Sequence, residues 1–165
     1  LFREALAIQE RLLGPDHADL AIALTNIGVI HDTRREYPEA IAAFERALPI
    51  WERSVGLDHM YPTYAQIGLA RVLLASGRPE EAIPLLARAM AVRDRESVGT
   101  ESRAEPRSVL ARALWEAAPG RGGDRTRALQ MASEAITGYR AAGEDDYREE
   151  LDELAAWVAA RMGGR

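Results

Sequence analysis

Ala47-Leu48-Pro49-Ile50-Trp51-Glu52-Arg53, followed by Gly56-Leu57-Asp58-His59, decides how this chain is organised. The same pattern stands 42 residues earlier as Ala5-Leu6-Ala7-Ile8-Gln9-Glu10-Arg11, followed by Gly14-Pro15-Asp16-His17. A third copy, Ala89-Met90-Ala91-Val92-Arg93-Asp94-Arg95, reaches Gly99 one residue late. Between these copies runs a second kind of segment, in which Leu69-Ala70-Arg71-Val72-Leu73-Leu74 matches Leu110-Ala111-Arg112-Ala113-Leu114-Trp115 at an offset of 41. A fixed period of this length marks a stacked repeat, here with two helices per unit. The pattern predicts helices over about 1–13, 18–34, 38–55, 60–76, 79–96, 103–118, 124–142 and 145–162. Gly14, Gly56, Gly77 and Gly99 close periodic segments, and Pro38 and Pro79 sit where a first helical turn tolerates proline. Ser102-Arg103-Ala104-Glu105 has the spacing of a capping box. Pro49 and Pro84 fall inside predicted helices, where the lost hydrogen bond predicts kinks rather than breaks.

Composition narrows the class. The chain has 165 residues, a net charge of -5 and 47% hydrophobic residues, one domain's worth of globular sequence. An acidic balance argues against a nucleic-acid module, and no apolar run approaches the roughly 20 residues of a membrane span. Without cysteine there is no disulfide framework, thiolate metal site or cysteine nucleophile. With 30 alanines and few aromatic residues the propensities favour an all-α fold. All 21 basic residues are arginine, which reads as the codon bias of a GC-rich bacterial genome.

These residues resemble the tetratricopeptide repeat in its long-looped form, like that of kinesin light chains. The family's small and aromatic positions are filled by Leu24, Ile27, Gly28, Tyr37, Ala40, Phe44 and Ala47, and again by Leu69, Ala70, Gly77, Ala82, Leu86 and Ala89. The resemblance implies a right-handed solenoid of antiparallel helix pairs. It divides the chain into the second half of a truncated repeat (1–17), two repeats (18–59 and 60–102), a degenerate repeat (103–144) and a capping helix (145–165). Phe2 and Ala5 fit the tail of the truncated unit. In the degenerate one, Pro119-Gly120-Arg121-Gly122-Gly123-Asp124 lengthens the internal turn.

Each helix pair has apolar residues on both sides and is stable only when stacked, and small residues let neighbouring backbones approach to about 8–10 Å. The last unit therefore needs a cover. Tyr147, Leu151, Leu154, Val158 and Met162 form one apolar stripe of a final helix, and Asp146, Glu149, Glu150, Asp152 and Glu153 are expected on its opposite face.

No constellation of catalytic residues emerges. His17 and His59 sit in matching Gly-x-Asp-His turns. Positions one repeat apart are separated by roughly 10 Å, too far to share a metal whose ligands lie about 2 Å away. Asp16 and Asp58 are expected to cap the following helices, and His31, amid Ile27 and Ile30, reads as a packed residue. The Gly120–Asp124 stretch follows no strand and precedes no lysine, so it is a turn and not a phosphate loop. Paired carboxylates such as Glu80-Glu81 and Glu149-Glu150 suit first helical turns. The expectation is a chain without metal, cofactor or catalytic residues.

What remains is the concave groove lined by the first helix of each pair. The repeat register places Ile22, Thr25, Asn26, Val29, Asp32 and Thr33 there, then Tyr64, Ile67, Arg71 and Leu74, then Glu105, Ser108, Arg112 and Trp115. The predicted peptide-binding residues are Asn26, Val29, Thr33, Tyr64, Arg71, Leu74, Arg112 and Trp115. By the family resemblance Asn26 matches an asparagine that bonds the backbone of a bound peptide, and its amide complements a peptide unit. A bond to its own solenoid is the alternative. Arg71 and Arg112 would present planar forks to an acidic segment, or else pair with Asp32 or Glu105.

The leading expectation is a non-enzymatic interaction scaffold that binds a protein or peptide, acidic segments included, with no nucleic-acid or membrane partner. The stretches 109–115, 124–129 and 139–143, with the Trp157 helix, are similar to the carboxyl end of large bacterial signalling proteins, many of them serine/threonine kinases. That resemblance implies a cytoplasmic location and a catalytic domain upstream. The second expectation is a self-assembly element that forms a homodimer by stacking through its N-terminal helix.

Overall fold

A computed structural model describes residues 14, 16–96, 99–118, 120 and 123–163. The predicted first helix, 1–13, with Phe2 and Ala5, lies outside the described residues, and so does any dimer contact through it. Seven α-helices follow: α1 (Ala18–Thr33), α2 (Tyr37–Ser54), α3 (Met60–Ala75), α4 (Pro79–Arg95), α5 (Thr100–Glu116), α6 (Arg125–Gly143) and α7 (Arg148–Met162). Antiparallel pairs form from α1 with α2, α3 with α4, and α5 with α6, and each pair packs on the next. The all-α solenoid expected from the repeat is the fold. Beyond the pairs, α1 lies against α3 and α3 against α5, so the first helices share one side of the stack.

Alanine makes the stacking possible. Ala40, Ala47, Ala65, Ala70, Ala82, Ala89, Ala111, Ala128, Ala132 and Ala135 are fully buried, and larger residues such as Leu24, Phe44, Leu86 and Leu110 fill the space between them. At such crossings a larger side chain has nowhere to go. Ala82→Leu should destabilise the fold by roughly 1–3 kcal/mol, read as a lower midpoint in thermal circular dichroism. A midpoint unchanged from the parent would show that this crossing is loose.

The turns repeat as faithfully as the helices. After α1, the Arg35 amide donates to the Asp32 carbonyl and the Glu36 amide to that of His31. After α3, Gly77 and Arg78 make the equivalent bonds to Leu74 and Leu73. Such a turn needs a left-handed residue. Gly77 supplies it at φ 73°, whereas Arg35 adopts φ 59° with a full side chain. Pro49 and Pro84 lie within α2 and α4, and both helices continue through them.

Three local expectations are corrected. The caps of α1 and α3 are His17 and His59, whose Nδ1 atoms accept from the amides of Asp19 and Tyr61, both at 3.2 Å. Because these helices start at Ala18 and Met60, the aspartates fall one residue before the cap and turn to arginines instead. Asp16 takes Arg53 at 2.6 Å and Asp58 takes Arg88 at 3.2 Å. The capping box at Ser102–Glu105 does not form, since α5 begins three residues earlier, at Thr100, with Gly99 as its N-cap. Gly99 therefore opens a helix rather than closing one.

Glu105 and the Ser102 carbonyl have another partner. Pro106 lies within α5 and has no N–H to give the carbonyl four residues back. The guanidinium of Arg93, only 1% exposed, replaces that donor: Nη1 lies 2.7 Å from the Ser102 carbonyl and 2.9 Å from the Glu105 carboxylate, and Nε lies 3.1 Å from the Thr63 hydroxyl. One arginine of α4 thus fastens α5 and α3 together.

Candidate functional site: the groove of the first helices

The exposed face of α1 runs Ile22, Asn26, Val29 and Thr33, spaced as one stripe of a helix. Ile22 and Val29 are each 41% exposed, and Asn26 makes no hydrogen bond to any described residue. The alternative in which Asn26 bonds a neighbouring helix is therefore not seen. The Thr33 hydroxyl donates back to the Val29 carbonyl at 2.9 Å. On α3, Tyr64 is 49% exposed, and the Arg93 guanidinium lies 4.9 Å from its ring centroid, which fixes the ring from below. Leu74 is half-buried.

Thr25 and Ile67, expected in the groove, point inward. The Thr25 hydroxyl donates to the Ala21 carbonyl at 2.7 Å and accepts from the Trp51 indole at 3.3 Å, and Ile67 belongs to the core. His31 is half-buried and its Nδ1 lies 2.6 Å from the Glu36 carboxylate. Exposed Ile30 and Tyr61 complete the apolar surface of this end; Tyr61 stacks on Trp51 at 5.7 Å. The repeat register did not mark either of them.

The predicted arginine forks are engaged. Arg71 Nε lies 2.7 Å from Asp32, a carboxylate only 14% exposed, and a second guanidinium nitrogen lies 3.9 Å from Glu105. Arg112 pairs at 3.3 Å with Glu153 of α7, a partner outside the two expected. Trp115 meets Trp157 edge to face at 5.8 Å, with Arg125 and Arg161 over its ring at 5.1 and 5.5 Å. Trp115 thus anchors the final helix and is taken up by it.

The final helix also departs from its predicted orientation. Leu151 and Leu154 are buried and Trp157 and Val158 half-buried, but Met162 is 63% exposed. The buried seam is therefore shorter than the predicted stripe, and α7 is rotated so that Glu149, Glu150 and Glu153 face α5 across a pocket of about 570 Å³. Arg71, Leu74, Glu105, Ser108, Val109 and Arg112 also line that pocket, which continues the groove. Trp157, absent from the predicted stripe, packs on Trp115 and turns the side bearing Glu150 and Glu153 toward α5. Among the described residues no three His, Asp or Glu side chains come together as a metal site, and no helix is long and apolar enough to cross a membrane.

Comparison with known proteins agrees with the architecture. The family model described as tetratricopeptide repeat matches residues 1–53 and 34–95, more than half of the chain. No curated protein matches. Among solved structures, the nearly identical TPR-like repeats of a kinesin light chain from Podosopora anserina superpose with a TM-score of 0.65 at 20% identity, covering 99% of this chain and 86% of that one. A point variant of the same repeats gives 0.66 with the same identity and coverage. At that identity the likeness concerns the fold, whereas the matched repeats settle kinship: this chain belongs to the tetratricopeptide repeat family.

Proposed function

We propose that the chain is a non-enzymatic scaffold that holds an extended peptide segment along α1 and α3. Repeats of this family generally mediate protein–protein interaction, and the observation that supports a groove here is the unbonded Asn26 amide on the same exposed stripe of α1 as Ile22 and Val29, with Tyr64 exposed on the adjoining α3. Apolar side chains clustered around a free donor and acceptor suit a peptide, which offers side chains to the first and a backbone amide to the second. Thr33 and Leu74 extend the same contact surface. Arg71, Arg112 and Trp115 contribute differently from a free fork or a free ring, because a ligand must first displace Asp32, Glu153 or Trp157. An acidic segment would meet that competition. The repeat units at 18–59, 60–102 and 103–144 with the cover at 145–165 form the scaffold, which we place within a larger cytoplasmic bacterial signalling protein; the all-arginine basic set and the tail resemblance support that setting.

A peptide library displayed on phage and selected against the immobilised chain tests the groove. Selected peptides should shift the amide resonances of α1 and α3, and Asn26→Ala should weaken them by about 1 kcal/mol, roughly fivefold, with the fold intact by circular dichroism. Peptides that map to the α2 and α4 side, or that ignore Asn26→Ala, would overturn the reading.

A further inference from the structure

The pocket between α5 and α7 carries more negative than positive side chains. Five glutamates line it against two arginines, and both arginines are already paired, Arg71 with Asp32 and Arg112 with Glu153. Glu105 is held by Arg93. Glu101 of α5 and Glu149 and Glu150 of α7 form no hydrogen bond or ion pair with any described residue. All three line the same pocket as the Tyr147 ring. The Tyr147 phenol titrates above its ordinary range, first through loss of solvation and then through the charges of Glu101, Asp146 and Glu150, so carboxylates from opposite walls act on the same group. Tyr147 stacks at 5.3 Å on buried Tyr139, which holds its ring in place, and Leu74, Val109 and Leu154 supply an apolar lining.

From this we infer that the pocket takes an arginine side chain of the bound segment. The inference rests on the groove reading for the rest of that segment. A guanidinium is the cation whose shape fits: its flat face packs on an aromatic ring while its edges donate to several carboxylates. The protein already stacks a guanidinium on a ring where Arg161 lies 4.2 Å over Trp157, its edge there donating to a backbone carbonyl. The pocket's volume, about 570 Å³, leaves room for the side chain and the backbone on either side of it. Placed beside the apolar surface of α1 and α3, the pocket predicts a ligand with apolar residues at one end and arginine at the other.

The test compares two acetylated and amidated pentapeptides, one with arginine at its centre and one with citrulline, the neutral isostere, titrated into the full isotope-labelled chain. At low salt the arginine peptide should bind about tenfold more tightly, shift the amides of Glu101, Ser108, Glu149 and Glu150, and lose its advantage as salt rises. Glu101→Gln, Glu149→Gln and Glu150→Gln together should abolish the difference between the peptides; Glu105 is left intact because Arg93 needs it. The spectrum of that variant reports whether it is folded, and Glu149→Gln with Glu150→Gln alone provides a milder form that should halve the advantage or more. Equal binding of the two peptides, an advantage that survives the triple change, or shifts confined to Asp145 and Asp152 on the outer face would overturn the inference. If both peptides bind equally along α1 and α3, the groove reading stands and the arginine pocket fails. If only the pocket amides respond, the pocket stands and the groove reading fails.

Discussion

Arg93→Ala should lower the stability of the fold by about 3 kcal/mol, because it empties a buried site and takes a donor from three acceptors. The side chain is 1% exposed and bonds three groups from two helices: the Thr63 hydroxyl, the Ser102 carbonyl and the Glu105 carboxylate. Deleting it leaves a cavity and takes a donor from the buried Thr63 hydroxyl and from the part-buried Ser102 carbonyl and Glu105 carboxylate, and a group left without a partner away from water costs roughly 1–3 kcal/mol. For a chain of this size, where 1 kcal/mol moves the midpoint by about 2–4 °C, the melting temperature should fall by about 10 °C. Glu105→Gln should cost less, about 1 kcal/mol, because an acceptor remains and the site is partly open to solvent. The role of Pro106 can be isolated. Pro106→Ala gives the Ser102 carbonyl a backbone donor of its own, so in that background Arg93→Ala should cost measurably less than in the parent. Equal costs in the two backgrounds would mean that Arg93 does not stand in for the missing amide.

That arginine also shows where reading the sequence stops. Within Ala91-Val92-Arg93-Asp94-Arg95 it looks like any surface cation, and nothing near it signals burial. The reason lies at Pro106, in the next helix, and only the packing of α4 on α5 brings the two together. Helix positions were legible because glycine and proline punctuate the period, and the small residues at the crossings were legible because the repeat aligned them. Caps were half legible. The Asp-His pair at each turn was evident, but which member caps depends on a single residue of register, and His17 and His59 fill that place. Groove chemistry was least legible. Asn26, Val29 and Tyr64 face outward as their helical spacing implies, and Arg71 takes the Asp32 named as its alternative partner, yet the partner of Arg112 is Glu153, 41 residues away in a helix expected to turn that residue to solvent. The glutamates of α7 were assigned to solvent because the stripe was drawn without Trp157, which is half-buried against Trp115 on the side of the helix that bears Glu150 and Glu153.

Gly28→Ala and Gly68→Ala together should destabilise the chain by about 2–4 kcal/mol, taking the upper part of the overpacking range, roughly 2–3 kcal/mol, at each site and subtracting about 1 kcal/mol of helix propensity that alanine gains at each. The fully buried Phe44 ring lies between the two glycine backbones. A Cβ at Gly28 would stand 2.6 Å from the ring's Cε1, and one at Gly68 would stand 2.4 Å from its Cζ. Carbon atoms pack at about 3.5–4.0 Å, so either methyl must displace the ring, and the direction of retreat from one glycine is toward the other. Each single change should therefore cost more than an isolated small-to-large change in a yielding site. Phe44→Leu, which costs stability alone by leaving a cavity, should restore part of it in the doubly substituted chain, with a coupling of about 0.5–3 kcal/mol in double-mutant cycles read by chemical denaturation. The same ring sets the separation of α1 and α3, which is the width of the groove carrying Asn26, Val29 and Tyr64. If the doubly substituted chain were as stable as the parent, or if Phe44→Leu added its cost in full, the ring would have room to move, and the spacing of the two groove helices would have to come from the residues around it rather than from Phe44.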